Sequence, residues 1–368
     1  MATSDESHPW KRHKGEIIET EIYWRDRQQW LLERGYQLRP RYRVDWKPSW
    51  EGTDKQYDIC EDGMVASYPG VLDAVRQSDG AVVVLKKTKK STHPYEAEIA
   101  RFLSSSPLIS DPRNHCVPIC EALQDPLDED VVLLVMPLLR LYDEPRFETV
   151  GEAVEFFHQM IEGMAFMHQH HVAHRDCSQL NTMMEPTMYP ELYHPVLTSE
   201  KPDLSGDAKC YTRIRRPTKY YYVDFGLSRK YDPKGGPPLE PPILGGDKTV
   251  PEFRGIGYHK LSNPFPTDIY YLGNLFREGF LQRYRGLEFM DALVADMVQE
   301  EPEKRPTIEQ VAERFAEIQS KLSWWKLRSE IVRRHYGMFI RFLSAVRHVY
   351  RTAGYVVMRL PPTPTPPS

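Results

Sequence analysis

The chain has 368 residues, 40% hydrophobic and 27% charged, a balance that suits an ordinary folded protein and excludes wholesale disorder or a fibrous repeat. Its net charge of −4 is uneven: residues 326–360 hold eight Lys or Arg against Glu330 alone, +7, leaving −11 on the rest, which disfavours nucleic acid as the main ligand. No stretch approaches the roughly 20 apolar residues of a spanning helix, and residues 1–16 lack the apolar core of a secretory signal. Five cysteines (Cys60, Cys116, Cys120, Cys177, Cys210) without zinc-finger spacing fit reduced thiols, so an intracellular protein of the cytoplasm or nucleus is expected.

Residues 1–15 are polar and aperiodic and are expected to form a flexible leader. The segment 16–34 carries Ile18, Ile22, Trp24 and Leu31 and stops at Gly35, a residue suited to a helix C-terminus, so a docked helical extension is expected within 16–56. After Arg39-Pro40 and Lys47-Pro48, residues 57–90 read as strands, and Asp79-Gly80 before the apolar run 81–85 marks a hairpin. His93-Pro94 opens a helix with Ile99, Phe102 and Leu103 on one side, and 131–136 is a second buried-strand candidate. Thr149 and Glu152 form a capping box, after which Val154, Phe157, Ile161, Met164 and His168 follow at spacings of three or four. Thr307 and Gln310 repeat that device before Val311, Phe315 and Ile318. Strands early and helices late define an α+β architecture of two lobes.

Two Pro-rich loops interrupt the pattern, 231–251 and 361–368, and the second is expected to be disordered. The basic tail 323–368 contains Phe339, Phe342, Leu343, Val346 and Tyr350 at helical spacing, with Arg341, Arg347 and Arg351 largely elsewhere on the wheel. Two readings stand open. The helix lies on an anionic membrane surface or acidic partner, or it packs its apolar face on the body while its arginines meet the body's excess acid.

The chemistry-bearing signals are HRDCSQLN (174–181), just after the capped helix, and YYYVDFGLSR, a strand delivering Asp224-Phe225-Gly226. Together and in that order they resemble the catalytic loop and metal-binding loop of the eukaryotic protein-kinase family. The resemblance covers roughly 57–322. It implies a two-lobed protein-kinase-like fold: a small β-rich N-lobe with hinge, 57–140, and a larger α-helical C-lobe, 141–322. VVLK (83–86) resembles the strand of the phosphate-anchoring lysine, Lys86, with Glu96 as its ion-pair partner and Glu98 as the alternative. Met136 falls at the gatekeeper and 137–139 at the hinge, with the Leu139 N–H facing adenine. Val250-Pro251-Glu252 resembles the end of the activation segment, DIYYLGNL the helix whose Asp268 braces the catalytic loop, and EEPEKRPT the late arginine motif, with Arg305 as partner of Glu252. GYQLRPRYRVDWKPSW and the insert 182–219 are similar to a group of fungal kinase-like proteins.

The implied activity is phosphoryl transfer from ATP with Mg²⁺ to protein Ser or Thr, a reaction catalysed by positioning and charge stabilisation. Asp176 would orient the acceptor hydroxyl and take its proton, Asn181 and Asp224 would supply oxygens to Mg²⁺, and Arg175 would face the activation segment. The partner is then a protein substrate. Two departures stand out. The expected glycine loop is GMVASYPG, with Gly63 and Gly70 but no closely spaced triplet, and Ser178 stands where the family carries a lysine. Losing one such contact costs about 10²- to 10³-fold in rate. A pseudokinase scaffold that binds nucleotide or partner proteins is therefore the alternative. A small-molecule phosphotransferase is a further one, against which the Glu252 and Arg305 motifs count. The histidines of MHQHHVAHRD match no zinc pattern, and His174 reads as a packed structural residue.

Overall fold

The computed structural model describes residues 15–243 and 247–367, and its architecture mixes helices with a curled antiparallel sheet. The chain divides into two compact units. The first takes residues up to Lys89 with 119–138 and 189–210; the second takes 90–118, 139–188 and the chain from Tyr211 onward. The expected leader lies outside the described residues apart from Gly15.

The first unit is built on a five-stranded sheet of order β1-β2-β3-β5-β4: β1 (Tyr36–Gln37), β2 (Val71–Arg76), β3 (Val82–Lys89), β4 (Glu121–Gln124) and β5 (Val131–Pro137). Gly80, at φ +72°, closes the β2–β3 hairpin as Asp79-Gly80 implied, since a positive φ costs glycine nothing. The period of two turns Leu72, Ala74, Val83, Leu85, Leu133 and Val135 into one buried cluster. Trp24, Leu31, Tyr36, Leu38 and Tyr42 complete that cluster, so the N-terminal extension shares the core of the sheet. Full burial of each such side chain contributes about 1.5–3 kcal/mol.

The docked helical extension forms as expected, and one local expectation is corrected. The extension forms two short helices, α1 (Glu19–Arg25) and α2 (Gln28–Glu33), because the Arg27 side chain turns to Asp125, at 2.6 and 3.1 Å, and the chain bends at Asp26-Arg27. Gly35, at φ +86°, ends α2 as expected. Residues 57–70 are not strand. They hold 3-10 turns at Tyr57–Ile59 and Glu61–Gly63, pinned by Asp62, which accepts from the Trp46 indole (3.0 Å) and from the Ser49 amide (2.9 Å) and hydroxyl (2.5 Å).

A buried ion pair fixes the extension. Arg41 donates from Nε and Nη2 to the two oxygens of Glu21, both at 2.8 Å, and the Tyr42 hydroxyl adds a bond at 2.9 Å. Both partners are buried.

The second unit contains α3 (Glu96–Leu103), β6 (Arg140–Leu141), α4 (Val150–Gln169), β7 (Val172–Ala173), β8 (Thr182–Met184), β9 (Tyr220–Tyr222), β10 (Arg229–Lys230), α5 (Pro264–Phe276), β11 (Tyr284–Arg285), α6 (Asp291–Met297), α7 (Ile308–Ser320), α8 (Trp324–Arg328), β12 (Val332–Arg333) and α9 (Met338–Val357). α4 is its axis. Phe156 and Phe157 meet Tyr142, Phe276 and Phe280 with ring centroids 4.6–5.1 Å apart, aromatic pairs worth about 0.5–1.5 kcal/mol each beyond their area. Thr149 caps α4 by accepting from the Glu152 amide at 3.2 Å, but Glu152 turns to the Glu148 amide at 2.7 Å. Thr307 and Gln310 form the full reciprocal box of α7.

The Pro-rich tail is not disordered over its described residues. Pro364 is buried, the Thr365 hydroxyl donates to Glu155 at 2.9 Å, and Gly151 makes the approach possible: a Cβ there would lie 2.0 Å from the Pro362 carbonyl oxygen. The packed reading of the basic tail is corrected for its apolar face, while Arg347 and Arg351 do meet an acid of the body. α9 forms, but Phe339, Phe342, Leu343, Val346 and Tyr350 face solvent. The helix is held by its polar face, where Arg347 and Arg351 pair with Glu148, Ser344 with Glu330, and the Tyr355 hydroxyl with Thr212 at 2.9 Å. Among the described residues no helix is long and apolar enough to cross a membrane.

Arg41→Ala leaves the Glu21 carboxylate buried without its charge partner, which is expected to destabilise the chain by about 3–5 kcal/mol in urea unfolding. The exposed Arg76–Asp79 pair serves as control, with Arg76→Ala costing under about 1 kcal/mol. Equal costs for the two substitutions would show that the buried pair does not hold the extension.

Candidate functional site

The residues singled out by the motifs fall in both units, and each group is described within its own. In the second, α4 runs into β7 and then into 174–181, so the helix delivers the loop. His174 is fully buried, its ring 5.3 Å from that of Phe225, with Nε2 3.2 Å from the Val223 carbonyl and Nδ1 accepting from the Asp176 amide at 3.3 Å. It is a packing and bridging group, as its sequence reading held.

Asp268, on α5, is wholly buried and accepts from the amides of His174 (2.8 Å) and Arg175 (2.7 Å) and lies 3.1 Å from Nε2 of His168. Those bonds hold Arg175 at φ +68°, a left-handed conformation that side chains other than glycine rarely take. Asp224, at φ +65°, is another such residue, as are His171, Leu192, Leu204 and Arg359, and the Asp224 Oδ1 accepts from the Gly226 amide at 3.1 Å. Strained backbone of this kind costs of order 1–3 kcal/mol and concentrates at functional sites.

Asn181 donates from Nδ2 to the Asp176 carbonyl (2.9 Å) and carboxylate (2.8 Å). Its amide oxygen is thereby turned away from Asp176, a hard oxygen of the kind a divalent cation takes. Together with Asp224 it fits a Mg²⁺ held by one or two protein oxygens and completed by phosphates and water. Among the described residues no group of three or more His, Cys, Asp or Glu could hold a metal by itself. Burial pushes the Asp176 carboxyl above its ordinary value, Asp224 and Asp247 add to that, and His174 and the Asn181 bond oppose it. Burial likewise raises the Cys177 thiol, which removes it as a ready thiolate.

Beside this loop lies a cavity of about 570 Å³ lined by Asp176, Ser178, Asn181, Asp247, Tyr271 and Glu278 among others. Among the described residues the buried Tyr271 hydroxyl has no hydrogen-bond partner. Arg175 donates to the carbonyls of Leu227 (3.3 Å) and Pro241 (2.8 Å) and lies 3.4 Å from Glu240, so it faces the segment after Gly226. That segment ends at a bidentate pair: Glu252 receives Arg305 at 2.8 and 2.7 Å. Burial opposes ionisation of Glu252, yet the bonds and charge of Arg305 hold its carboxyl below the ordinary value.

Glu96 is buried at the start of α3 while Glu98 is exposed. The same unit ties this helix to the 224–226 loop through His93, whose Nδ1 lies 3.0 Å from the Gly226 carbonyl. Leu139 immediately precedes β6. In the first unit Lys86 lies on β3 opposite Val71 and Leu134, and the period of two sets it on the face away from Val83 and Leu85. Met136 lies opposite Val84, and the Gly70 carbonyl accepts from the Lys87 amide at 2.8 Å.

Sequence reasoning missed four contributors: His168, His93, Tyr271 and Arg283. The last donates to the Gln179 side chain at 2.8 Å, one residue from Ser178. His168 sits at an apolar position of the α4 pattern, which was its only signal; Arg283 lies 104 residues from Gln179 and carried none. Neither a family model nor a curated protein matches this chain.

Asp268→Ala strands the His174 and Arg175 amides in the interior, and two unpaired buried donors are expected to cost about 3 kcal/mol or more. Urea unfolding checks the cost. Near-UV circular dichroism should also change, because His174 and Phe225 lose their frame. An unchanged midpoint and spectrum would show that Asp268 is not the brace.

Proposed function

We propose that the chain is a protein-kinase-like phosphotransferase that moves the terminal phosphoryl group of ATP to a protein serine or threonine. The observation that carries this reading is the carboxylate–amide pair Asp176–Asn181, held between two left-handed residues, Arg175 and Asp224. Such strain persists only where surrounding bonds over-determine it, here through Asp268 and the Gly226 amide. Asp176 orients the acceptor hydroxyl and receives its proton; its raised pKa makes it a stronger base than an exposed aspartate. Asn181 and Asp224 would hold Mg²⁺, which would neutralise charge on the phosphates. The roles of Lys86, Glu96, Gly70, Met136 and Leu139 rest on the resemblance alone.

Radiolabelled ATP with a Ser/Thr peptide library tests the reading directly. Wild type is expected to label peptides, and Asp176→Asn to lower kcat by about 10²- to 10⁴-fold. Mg-ATP is expected to raise Tm by several degrees in wild type and less in Asp224→Ala. No labelling together with no thermal response would sink the proposal.

A second reading, a pseudokinase that binds nucleotide without useful turnover, is favoured by Ser178 and by the 3-10 turns and coil over 57–70, where no glycine-rich hairpin forms. Ser178→Lys separates the two. If the missing cation limits phosphoryl transfer, kcat rises by up to about 10²-fold with nucleotide Kd nearly unchanged. A folded variant with unaltered kcat would show that charge at this position is not limiting.

A further inference from the structure

The cavity beside the 174–181 loop carries charge of one sign. Asp176, Asp247 and Glu278 line it, and among the described residues no Lys, Arg or His joins its wall. Two guanidinium groups bonded to wall residues are already served. Arg277 donates to the Asn274 amide oxygen at 2.9 and 2.5 Å, and Arg283 donates to Gln179 at 2.8 Å and lies 3.6 Å from Asp143. The three acids differ in what they hold. Asp176 is bonded to Asn181, and Asp247 accepts from the Thr249 amide at 2.8 Å and from the Asn274 side chain. Glu278 is half-buried and makes no hydrogen bond or ion pair among the described residues. It stands on a π-helical turn, Arg277–Leu281, that continues α5; such turns are rare and recur at functional sites.

Tyr271 supplies an independent observation. It is only 2% exposed and lines the same cavity, and its hydroxyl has no partner among the described residues. A buried hydroxyl left unbonded is costly, so its place in the wall points to a partner that arrives from outside. Burial first, then the charges of Asp176, Asp268, Asp247 and Glu252, hold the phenol well above its ordinary value, so it stays neutral within a negative field. We propose that this cavity takes an arginine side chain of the protein substrate, with the guanidinium set between Glu278 and Asp247 and the Tyr271 hydroxyl accepting a further N–H. A guanidinium offers five donors to such a set, whereas a lysine ammonium offers three and is more strongly hydrated. At about 570 Å³ the cavity is roughly 8 Å across, or two to three residues of extended chain at about 3.3 Å each. Asp176 forms part of the wall, so the arginine falls within about three residues of the acceptor. The inference rests on the phosphotransfer reading for the role of the bound segment, not for its chemistry.

The test uses the full chain with radiolabelled ATP, Mg²⁺ and serine peptides that carry arginine at one position within three residues of the serine. The same peptides with alanine or glutamate there serve as references, and fluorescence anisotropy measures peptide Kd in parallel. Wild type is expected to favour the best arginine peptide over alanine by about fivefold or more in kcat/KM and in Kd. Glu278→Gln is expected to bring that ratio towards one, and Glu278→Lys to turn the preference to glutamate. Glu313→Lys makes the same change of charge on an exposed position of α7 and is expected to keep the wild-type ratio, which separates the cavity from net charge. Tm and far-UV circular dichroism follow folding, and should Glu278→Lys fail to fold, the Glu278→Gln ratio decides. Equal labelling of arginine and alanine peptides, or one ratio shared by wild type and Glu278→Gln, would overturn the inference and leave the phosphotransfer reading standing. Arginine-dependent binding without labelling, lost in Glu278→Gln, supports the inference and sinks phosphotransfer. Neither labelling nor arginine-dependent binding would overturn both.

Discussion

The second unit depends on the Asp268 carboxylate. A buried charge is tolerated only where its lone pairs are met, and here two backbone amides and a histidine ring meet them. The three donors come from α4 and from the loop that follows β7, so one side chain on α5 fixes three segments of chain relative to one another. Removing it would free the backbone at His174 and Arg175 rather than merely open a hole.

That anchoring explains why the neighbouring backbone can be strained. Arg175 at φ +68° presents consecutive amides to Asp268 while its guanidinium reaches the Leu227 and Pro241 carbonyls. Asp176 follows directly, and Asn181 closes the turn back onto it. The Glu252–Arg305 pair does similar work further along, where five donor–acceptor contacts of Arg305, two to Glu252 and three to the Gln299, Glu300 and Pro266 carbonyls, leave its buried charge well served. Bidentate geometry of this kind is what makes a buried pair tolerable.

Features governed by local rules were legible in sequence. Asp79-Gly80 needs only a positive φ, Thr307 and Gln310 only their spacing, and the β5 run only its unbroken apolar character. Asp268, Glu252 and Arg305 were legible because motifs at fixed spacing surround them. The remainder was set by partners distant in sequence. Residues 57–70 look strand-like, but Asp62 is captured by Trp46 and Ser49. The extension 16–34 reads as helical and is so, but its division into α1 and α2 goes with the bond of Arg27 to Asp125, 98 residues away. The tail 361–367 has a disordered composition, yet Gly151 on α4 leaves space for it. For α9, periodicity gave the apolar face but not its direction, because Glu148 and Glu330 decide which side of the helix is held.

The same limit applies to Ser178. A motif reading registers a missing lysine as a missing charge, whereas the electrostatic requirement of phosphoryl transfer concerns position in space and not in sequence. Arg283 brings a guanidinium to Gln179, at 2.8 Å, and so supplies a cation beside the loop from outside the motif. Its strength as a substitute is limited by its surroundings. Its side chain is 44% exposed and lies 3.6 Å from Asp143, so solvent screens the charge and a carboxylate partly neutralises it. A lysine within the loop would need no such sharing. The arrangement is therefore a cation that is present beside the loop but weakened by solvent and by Asp143.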